Sequence, residues 1–520
     1  MRVSGGHRTR GAQMGDTSGG HGASQGIDEF GRVESRGIDF IPPKERHSKP
    51  RNLGWVMCAP QFALGIMVFG SLPLAFGLGW WAAFWAITLG VLVGSVLFGP
   101  MALIGPRTGT NNCVSSGAFF GVAGRFIGSV ITMFIGLGFF AILVWTGGQA
   151  LIACLHRLFG LGTGNVELAL AMAFISLLSF VLAIYGHATL IHSLRIIAIT
   201  SGIAIVIAVI VLAPKFHALQ GSHYLLGTFW PTWVLSFSTA ASVPISWGPF
   251  INDYGRYVPE DSSPWKLFNY AGGGMFLGCW VSLIAGAFVT TTALASTSAS
   301  FVFGFFAVSP TWLIVLLTLT VGGSANIANA AMGVYNAGLD MHAVVWRVRR
   351  SQMTFILSGV GLAVALIGVI VFNAIASIEA FVTILLVTVT PWMVINVMGH
   401  FRCAGNYSTD ALQAFSDPKT VRSSPYWYTG GFNLRAVVAW AVGTGVGMLF
   451  VSTTIITGPL VSQVNGIDLS FTSAGIVGGL LYFLFVRLFP EAAVTASRSQ
   501  VGSAAVARLG QEVAEDGGAS

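Results

Sequence analysis

The chain of 520 residues is 54% hydrophobic and only 9% charged, with a mean hydropathy of +0.76. Soluble domains carry about 25% charged residues, so this composition excludes a soluble multidomain protein and predicts an all-α polytopic protein of the lipid bilayer. The formal net charge of +7 belongs to the loops and tails of such a protein and does not indicate a nucleic-acid partner.

Polar segments flank the apolar region at both ends. Residues 1–50 are rich in Gly, Ser, His and Arg and contain no apolar run, which predicts a disordered tail rather than a signal peptide. Residues 491–520 predict a second polar tail, which leaves 51–490 as the membrane domain. The five cysteines are scattered without a paired spacing, so neither a disulfide frame nor a metal site is expected.

Twelve apolar runs between the tails are long enough to cross the roughly 30 Å hydrocarbon core. The predicted spans start near Leu53, Trp80, Gly128, Val166, Leu194, Phe229, Tyr270, Pro310, Met353, Ile378, Arg435 and Leu469. An even number places both tails on one side, and all Lys and Arg residues except Arg157 and Lys215 then lie on that side. Because cytoplasmic loops carry the excess of positive charge, both termini are expected in the cytoplasm, with the spans in the plasma membrane.

Two of the spans are interrupted near their middle. The interrupting residues are Pro60 and Gly65 in the first span and Pro244, Gly248 and Pro249 in the sixth. A proline removes a backbone donor, and in a bilayer the freed carbonyls must be satisfied by protein, water, an ion or a substrate. Prolines also kink membrane helices without any function, but breaks at corresponding places in two halves indicate a binding site at the bilayer midplane.

The paired breaks divide the membrane domain into two related halves. These halves are expected at about 51–215 and 226–400, followed by two additional helices at about 433–490. This arrangement is that of a five-plus-five inverted repeat with discontinuous helices one and six. In such proteins one bundle of helices rocks against the other and exposes the site alternately to the two sides of the membrane.

Side-chain amides inside the spans are the main polar candidates for substrate contact. They are Gln61 in span one, Gln149 in span three, and Asn326 and Asn329 in span eight. Polar groups are costly in hydrocarbon, and an amide both donates and accepts, which suits a planar heterocycle with alternating donors and acceptors. The alternative is that Asn326 and Asn329, which share one helix face, only hold helices together.

Span six and span three add further candidates. Ser246 and Trp247 lie between the prolines of span six, and the rings of Trp247 and of Phe139 in span three have faces on which a heterocycle can stack. The alternative is that these rings only pack or face lipid. Asp253 and Asp340 are the candidate proton carriers, but both stand at the cytoplasmic ends of spans, where a solvated structural role is the alternative, so no carrier is identified.

Five stretches of the chain resemble one family of transporters. They are GIDFIPPKER at 37–46, GLGWWAAF at 77–84, GPRTGTNNCVSSGAFFGVAGRF at 105–126, VWTGGQAL at 144–151 and INDYGRYVP at 251–259. Between about residues 35 and 345 the chain therefore resembles the nucleobase:cation symporter family one, specifically its purine-cytosine permease branch. The resemblance implies a LeuT-like fold with ten core helices and substrates such as cytosine, purines, uracil, hydantoins or allantoin.

The same resemblance implies roles for individual positions. Phe139 falls where the family's span-three aromatic stacks on the base, and Ser246 falls where a cytosine-specific relative hydrogen-bonds its ligand. The region of Asn326 and Asn329 falls where span eight supplies amides. Pro244 departs from the pattern because a stacking aromatic is usual there, which leaves the identity of the substrate open.

Cation coupling is a separate implication of the resemblance. In sodium-coupled relatives, adjacent hydroxyl residues on span eight meet carbonyl groups of the broken span one. Here Ser324 is the candidate cation ligand, but it is followed by Ala325, so one hydroxyl is missing. The missing hydroxyl and the resemblance to the purine-cytosine branch therefore favour proton coupling, with sodium coupling as the alternative, and no cofactor is expected.

Together these features predict a secondary active symporter that imports a cytosine- or purine-type base or a related small heterocycle. The alternatives are a transporter of the same fold for thiamine, allantoin, hydantoin or an amino acid and, from another class, a channel or membrane sensor. No repeated polar rings and no output domain are recognisable, which disfavours a channel or sensor. The spans show no acid/base pair, nucleophile triad or metal-ligand cluster, so an enzyme is not expected. The sequence leaves the oligomeric state open.

Overall fold

The computed structural model describes residues 37–491, apart from 186, 294–299, 345–347, 349, 372–373 and 417–419. Within this part of the chain the regular structure is helical, and the β-structure consists of two isolated bridges in loops. The predicted all-α class is therefore confirmed. Most of the two predicted tails, residues 1–36 and 492–520, lies outside the described residues.

The α-helices are numbered in chain order. The first ten are α1 (Pro50–Cys58), α2 (Leu64–Ala75), α3 (Trp80–Phe98), α4 (Ile104–Thr108), α5 (Asn112–Phe120), α6 (Phe126–Phe159), α7 (Asn165–Tyr185), α8 (His187–Leu212), α9 (Phe229–Ser246) and α10 (Ile251–Gly255). They are followed by α11 (Pro264–Thr292), α12 (Phe301–Val308), α13 (Thr311–Leu319), α14 (Asn326–Val344), α15 (Arg350–Val371), α16 (Ala374–Arg402), α17 (Thr409–Gln413), α18 (Leu434–Leu449) and α19 (Ser470–Leu488).

The observed helices match the predicted spans in order and position. Each predicted start lies near a helix start, and the largest difference separates Leu194 from His187 at the start of α8. Among the described residues, ten helical segments are long and apolar enough to cross a membrane, and the bent pair α1–α2 makes an eleventh. Helix α18 is shorter, with 16 residues, and occupies the place of the predicted eleventh span.

The first span breaks where the sequence predicts a break. Helix α1 ends at Cys58, a short 3-10 turn covers Ala59–Phe62, and Ala63 is extended with φ −81° and ψ 145° before α2 begins. Pro60 is the second residue of the turn, where its missing N–H cannot support a continuous α-helix. As a result, the axes of the two halves differ by 65°.

The sixth span is interrupted slightly later than its first proline suggests. Pro244 lies inside the last turn of α9, which ends at Ser246, and a turn over 247–250 precedes α10. Within this turn the N–H of Phe250 donates to the carbonyl of Trp247 at 3.0 Å. The two pieces together form one apolar span, Phe229–Gly255.

Close backbone contacts hold the broken first span against α11. Gly278 of α11 lies opposite Cys58, where an added Cβ would come within 2.5 Å of the Cys58 carbonyl oxygen. One turn earlier on α11, Gly274 makes a similar contact with Gly54, and about two turns after Gly278, Gly286 contacts the Met67 carbonyl. Because only hydrogen occupies the side-chain position of a glycine, both halves of the first span approach α11 closely.

Candidate substrate site

Asn326 from α14 is fully engaged at the break of the first span. Its Oδ1 accepts a hydrogen bond from the N–H of Gly65 at 3.2 Å, at the start of α2. Its Nδ2 donates to the Leu143 carbonyl at 3.0 Å and to the Thr146 hydroxyl at 2.9 Å, both on α6. These contacts use both amide hydrogens and join α14 to α2 and α6. The geometry of Asn326 therefore supports a role in holding helices together.

Asn329 lies one helical turn farther along α14 and contacts the other side of the same break. Its Nδ2 donates to the Pro60 carbonyl at 2.7 Å, and its side chain is buried. The two asparagines therefore serve a backbone donor and a backbone acceptor that the interruption frees. As the shared face predicted, α14 presents both amides to span one.

Gln61 occupies the centre of the 3-10 turn between α1 and α2. The side chain is fully buried, and within the described part of the chain neither Nε2 nor Oε1 has a hydrogen-bond partner. Its Cβ faces Gly278 of α11, since a Cβ added to that glycine would lie 3.0 Å away. A buried amide without partners costs about 1–3 kcal/mol, so a ligand that supplies a donor and an acceptor would gain unusually much here.

Phe139 on α6 is buried, and other rings already surround it. Its ring stacks on Phe69 of α2, with centroids 5.7 Å apart and planes at 22°, and meets the edge of Phe381 of α16 at 5.4 Å. Three helices therefore converge on this ring. A base that stacked on the face now covered by Phe69 would have to displace α2 or the Phe69 side chain.

Ser246 and Trp247 are both buried at the interruption of span six. The Ser246 hydroxyl donates to the Val243 carbonyl at 2.6 Å, which leaves its oxygen as an acceptor. The Trp247 ring packs edge-on against Phe250, with centroids 5.9 Å apart. The turn that carries them is close to α16, because a Cβ on Gly248 would collide with the Met393 side chain.

Gln149 lies toward the other end of α6, about 15 Å along the helix axis from Phe139. Its Oε1 accepts a hydrogen bond from the Ser300 hydroxyl at 2.9 Å, immediately before α12. The structure therefore places Gln149 beside the segment that joins α11 to α13, whereas Gln61 and Asn329 lie at the break of span one.

Ser324 belongs to a π-helical segment, Thr320–Ala325, that precedes α14. Its hydroxyl donates to the Thr320 carbonyl at 3.0 Å, and its lone pairs remain the only part that could bind a cation. Short π-helical segments occur frequently at functional sites because they widen the helix and displace a carbonyl. The sequence did not predict this segment.

The expectation that Asp253 and Asp340 are solvated is wrong. Both residues are fully buried, and α5 and residues from 37 onward contact this end of the spans. Asn111 donates to Asp340 Oδ1 at 2.6 Å, and Arg256 Nη1 donates to the Gly37 carbonyl at 2.7 Å. Sequence reasoning placed the acids at helix ends correctly but missed the segments that fold over them.

Asn112 is a further residue that the sequence argument missed. It lies on α5 between the second and third spans and donates from Nδ2 to the carbonyls of Gly248 and Pro249 in the turn of span six. The adjacent pair Asn111–Asn112, inside the short connection between these spans, was the available signal. Its partners are more than a hundred residues away, so the spacing could not reveal them.

The sequence model of the family described as "Permease for cytosine/purines, uracil, thiamine, allantoin" matches residues 40–478. The putative purine-cytosine permease YxlA of Bacillus subtilis (strain 168) is 25% identical over 470 residues, which cover 88% of this chain and 96% of that protein.

Solved transporters share the fold. Mhp1, a nucleobase-cation-symport-1 family transporter, in a closed conformation with bromovinylhydantoin bound, superimposes with a TM-score of 0.68 at 16% identity, over 89% of this chain and 98% of that one. Mhp1 in its inward-facing conformation gives the same TM-score over 90% of this chain and 98% of that one, again at 16% identity. A Na+-coupled sialic acid symporter gives 0.56 at 12% identity, over 86% of this chain and 92% of that one.

Proposed function

Because the chain belongs to the family of permeases for cytosine/purines, uracil, thiamine and allantoin, we propose that it imports a cytosine- or purine-type base by alternating access coupled to protons. Membership makes the chain a multi-pass membrane transporter rather than an enzyme. The predicted excess of Lys and Arg on the side of both tails supports cytoplasmic termini and a plasma-membrane location.

The observation that carries the proposal is the unpaired amide of Gln61 at the break of span one. A pyrimidine or purine base presents N–H donors and C=O or ring-nitrogen acceptors side by side, so it can serve both ends of this amide at once. The other proposed contacts lie at the two breaks. Asn329 contacts the Pro60 carbonyl at the break of span one, and Ser246 and Trp247 lie at the break of span six.

The same chemistry supports a second substrate class. Hydantoin and allantoin rings also alternate N–H and C=O groups, and Mhp1, which shares the fold, has a hydantoin bound. These compounds therefore belong in the first substrate panel beside the nucleobases.

Proton coupling is supported by the contacts at the break of span one. The Pro60 carbonyl accepts the amide of Asn329, so a sodium ion there would have to share or displace that donor. Ser324 is followed by Ala325, which removes one hydroxyl ligand, and a sodium ion would need several oxygen ligands to replace its hydration shell.

Uptake into a host that lacks its own base permeases tests the proposal. Radiolabelled cytosine, adenine, hypoxanthine and allantoin are offered to cells that express the chain and to cells with an empty vector. We expect uptake of at least one compound above the control. If the protein is present in the membrane and none is taken up, the proposed substrate class is wrong.

The coupling ion is tested with the transported compound. We expect a protonophore that collapses the pH gradient to abolish accumulation, and replacement of sodium by choline to leave it unchanged. The opposite pattern would assign the coupling to sodium and contradict the proton proposal.

A further inference from the structure

Asn112 is anchored at the interruption of span six although it lies on a different element. It is the first residue of α5, and its side chain is 2% exposed. Its Nδ2 donates to the Gly248 carbonyl at 3.1 Å and to the Pro249 carbonyl at 2.5 Å. Both acceptors belong to the turn that separates α9 from α10.

The orientation of this amide is determined by its partners. Carbonyl oxygens can only accept hydrogen bonds, so the nitrogen must face Gly248 and Pro249. The oxygen of Asn112 then faces α10, where it accepts a hydrogen bond from Asn252 Nδ2. Both hydrogens and the oxygen are used, and the side chain has no remaining polar group for another partner.

The Gly248 and Pro249 carbonyls, which Asn112 contacts, directly follow the proposed substrate contacts Ser246 and Trp247 in the chain. A continuous helix would pair these carbonyls with N–H groups one turn later, but the turn at 247–250 interrupts that pattern. Ser246 ends α9 and Trp247 opens the turn, so their side chains leave the backbone next to the groups that Asn112 holds. A shift of the turn would therefore move both proposed substrate contacts.

The neighbouring residue connects the same short helix to α14. Asn111 caps α5 by accepting the N–H of Val114 at 3.1 Å, and its Nδ2 donates to Asp340 Oδ1. The first turn of α5 is thus attached to the interruption of span six on one side and to the helix of Asn326 and Asn329 on the other.

We propose that Asn112 is a positioning residue for substrate binding, which acts through the Gly248 and Pro249 carbonyls on Ser246 and Trp247. The inference rests on the proposed function, because it takes Ser246 and Trp247 to face the substrate. It goes further by assigning control of affinity to a residue of a connecting helix that contacts no substrate itself.

Three variants test this inference in the purified full-length chain. Asn112→Ala removes the donor, and Asn112→Asp keeps the size and the acceptor for Asn252 but donates only when its carboxyl group is protonated. Ser116→Ala is the matched control, because Ser116 is buried on the same helix and donates only to the Cys113 carbonyl within it. The dissociation constant of the base that the wild type binds is measured for each, with the thermal unfolding midpoint.

We expect Asn112→Ala to raise the dissociation constant by about tenfold or more while Ser116→Ala changes it less than about twofold. For Asn112→Asp, the ratio to the wild-type constant should fall toward one as the pH is lowered from about 7 to about 4, toward the usual Asp pKa of about 3.9, because protonation restores one donor. A role in packing alone would not produce this pH-dependent rescue.

Two results would overturn this inference without affecting the proposed function. One is a folded Asn112→Ala protein with wild-type affinity. The other is loss of folding in both Asn112 variants at every pH, which would show that Asn112 is needed for stability. If the wild type binds no compound of the panel, the proposed function fails and this inference fails with it.

Discussion

Asparagine side chains supply the partners that the backbone loses at both helix breaks. Asn326 and Asn329 from α14 serve the break of span one, and Asn112 from α5 serves that of span six. An unpaired backbone group in hydrocarbon costs several kcal/mol, so these amides allow the interruptions to persist without a ligand. Gln61 then remains as the buried amide at the first break without a partner among the described residues.

Asn326→Ala should destabilise the protein. The substitution leaves the Gly65 N–H without its side-chain partner in a buried site, which costs about 1–3 kcal/mol. The thermal unfolding midpoint in detergent should fall clearly below that of Asn52→Ala, a control that removes only a partly buried bond to Ser48. Equal midpoints for the two variants would show that Asn326 is not structural.

Glu491, just beyond the last span, should make stability depend on pH. Burial raises the pKa of its carboxyl group above the usual 4.5, although Asn433 and Arg402 offset part of the effect. The folded state therefore holds the proton more tightly than the unfolded state, so the stability from this group is greatest below pH 4.5 and is lost as the pH rises through the raised pKa.

Unfolding midpoints of the wild type and of Glu491→Gln, measured across this range, check the sign. Because the variant stays neutral, the wild type should lose stability relative to it as the pH rises from about 4 to about 8. Parallel curves for the two proteins would contradict the assignment.

At the scale of elements, the position of the first span depends on glycines of α11. Gly274, Gly278 and Gly286 each lie against a backbone carbonyl of α1 or α2 or of the turn between them. These contacts bring Gln61 against α11 and leave no space for larger residues. The broken helix is therefore held by α11 on one side and by the asparagines of α14 on the other.

Gly286→Ala should consequently destabilise the protein by about 1–3 kcal/mol, because the new methyl group would collide with the Met67 carbonyl. Gly273→Ala on the same helix is the control: nothing lies within 4 Å of its Cβ, and alanine favours a helix by about 0.5–1 kcal/mol. Unfolding midpoints should move in opposite directions. If Gly286→Ala is as stable as the wild type, the close contact is not rigid.

The elements that the sequence predicted are those whose signal is local. Pro60 interrupts an apolar run and the structure breaks there, and the twelve runs match helices in order. The hydrogen bonds of Asn112 and the burial of Asp340 involve contacts across more than a hundred residues, for which local spacing carries no signal. The rings that surround Phe139 could not be predicted from the sequence either, because Phe69 and Phe381 belong to two other helices.

At the scale of the whole molecule, charged residues mark the two ends of the helix bundle. The two basic residues predicted on the far side, Arg157 and Lys215, both contact the region where α12 ends and α13 begins. Lys215 donates to the Val308 carbonyl at 2.7 Å, and Arg157 donates to the Thr311 hydroxyl at 3.2 Å. At the opposite end, Arg46 donates to the Pro106 carbonyl at 2.9 Å. Arg157 and Lys215 thus lie beside the same connection between helices.

Equilibrium binding of a nucleobase panel to the wild type and to Gln61→Leu tests the role of Gln61 in substrate binding most directly. The leucine removes a buried amide without a partner among the described residues, so the free variant should be more stable than the wild type by about 1–3 kcal/mol. We expect at least one base to bind the wild type and to raise its unfolding midpoint, and Gln61→Leu to weaken this binding about tenfold or more. Equal affinity in the two proteins, or no binding of any base by the folded wild type, would contradict this expectation.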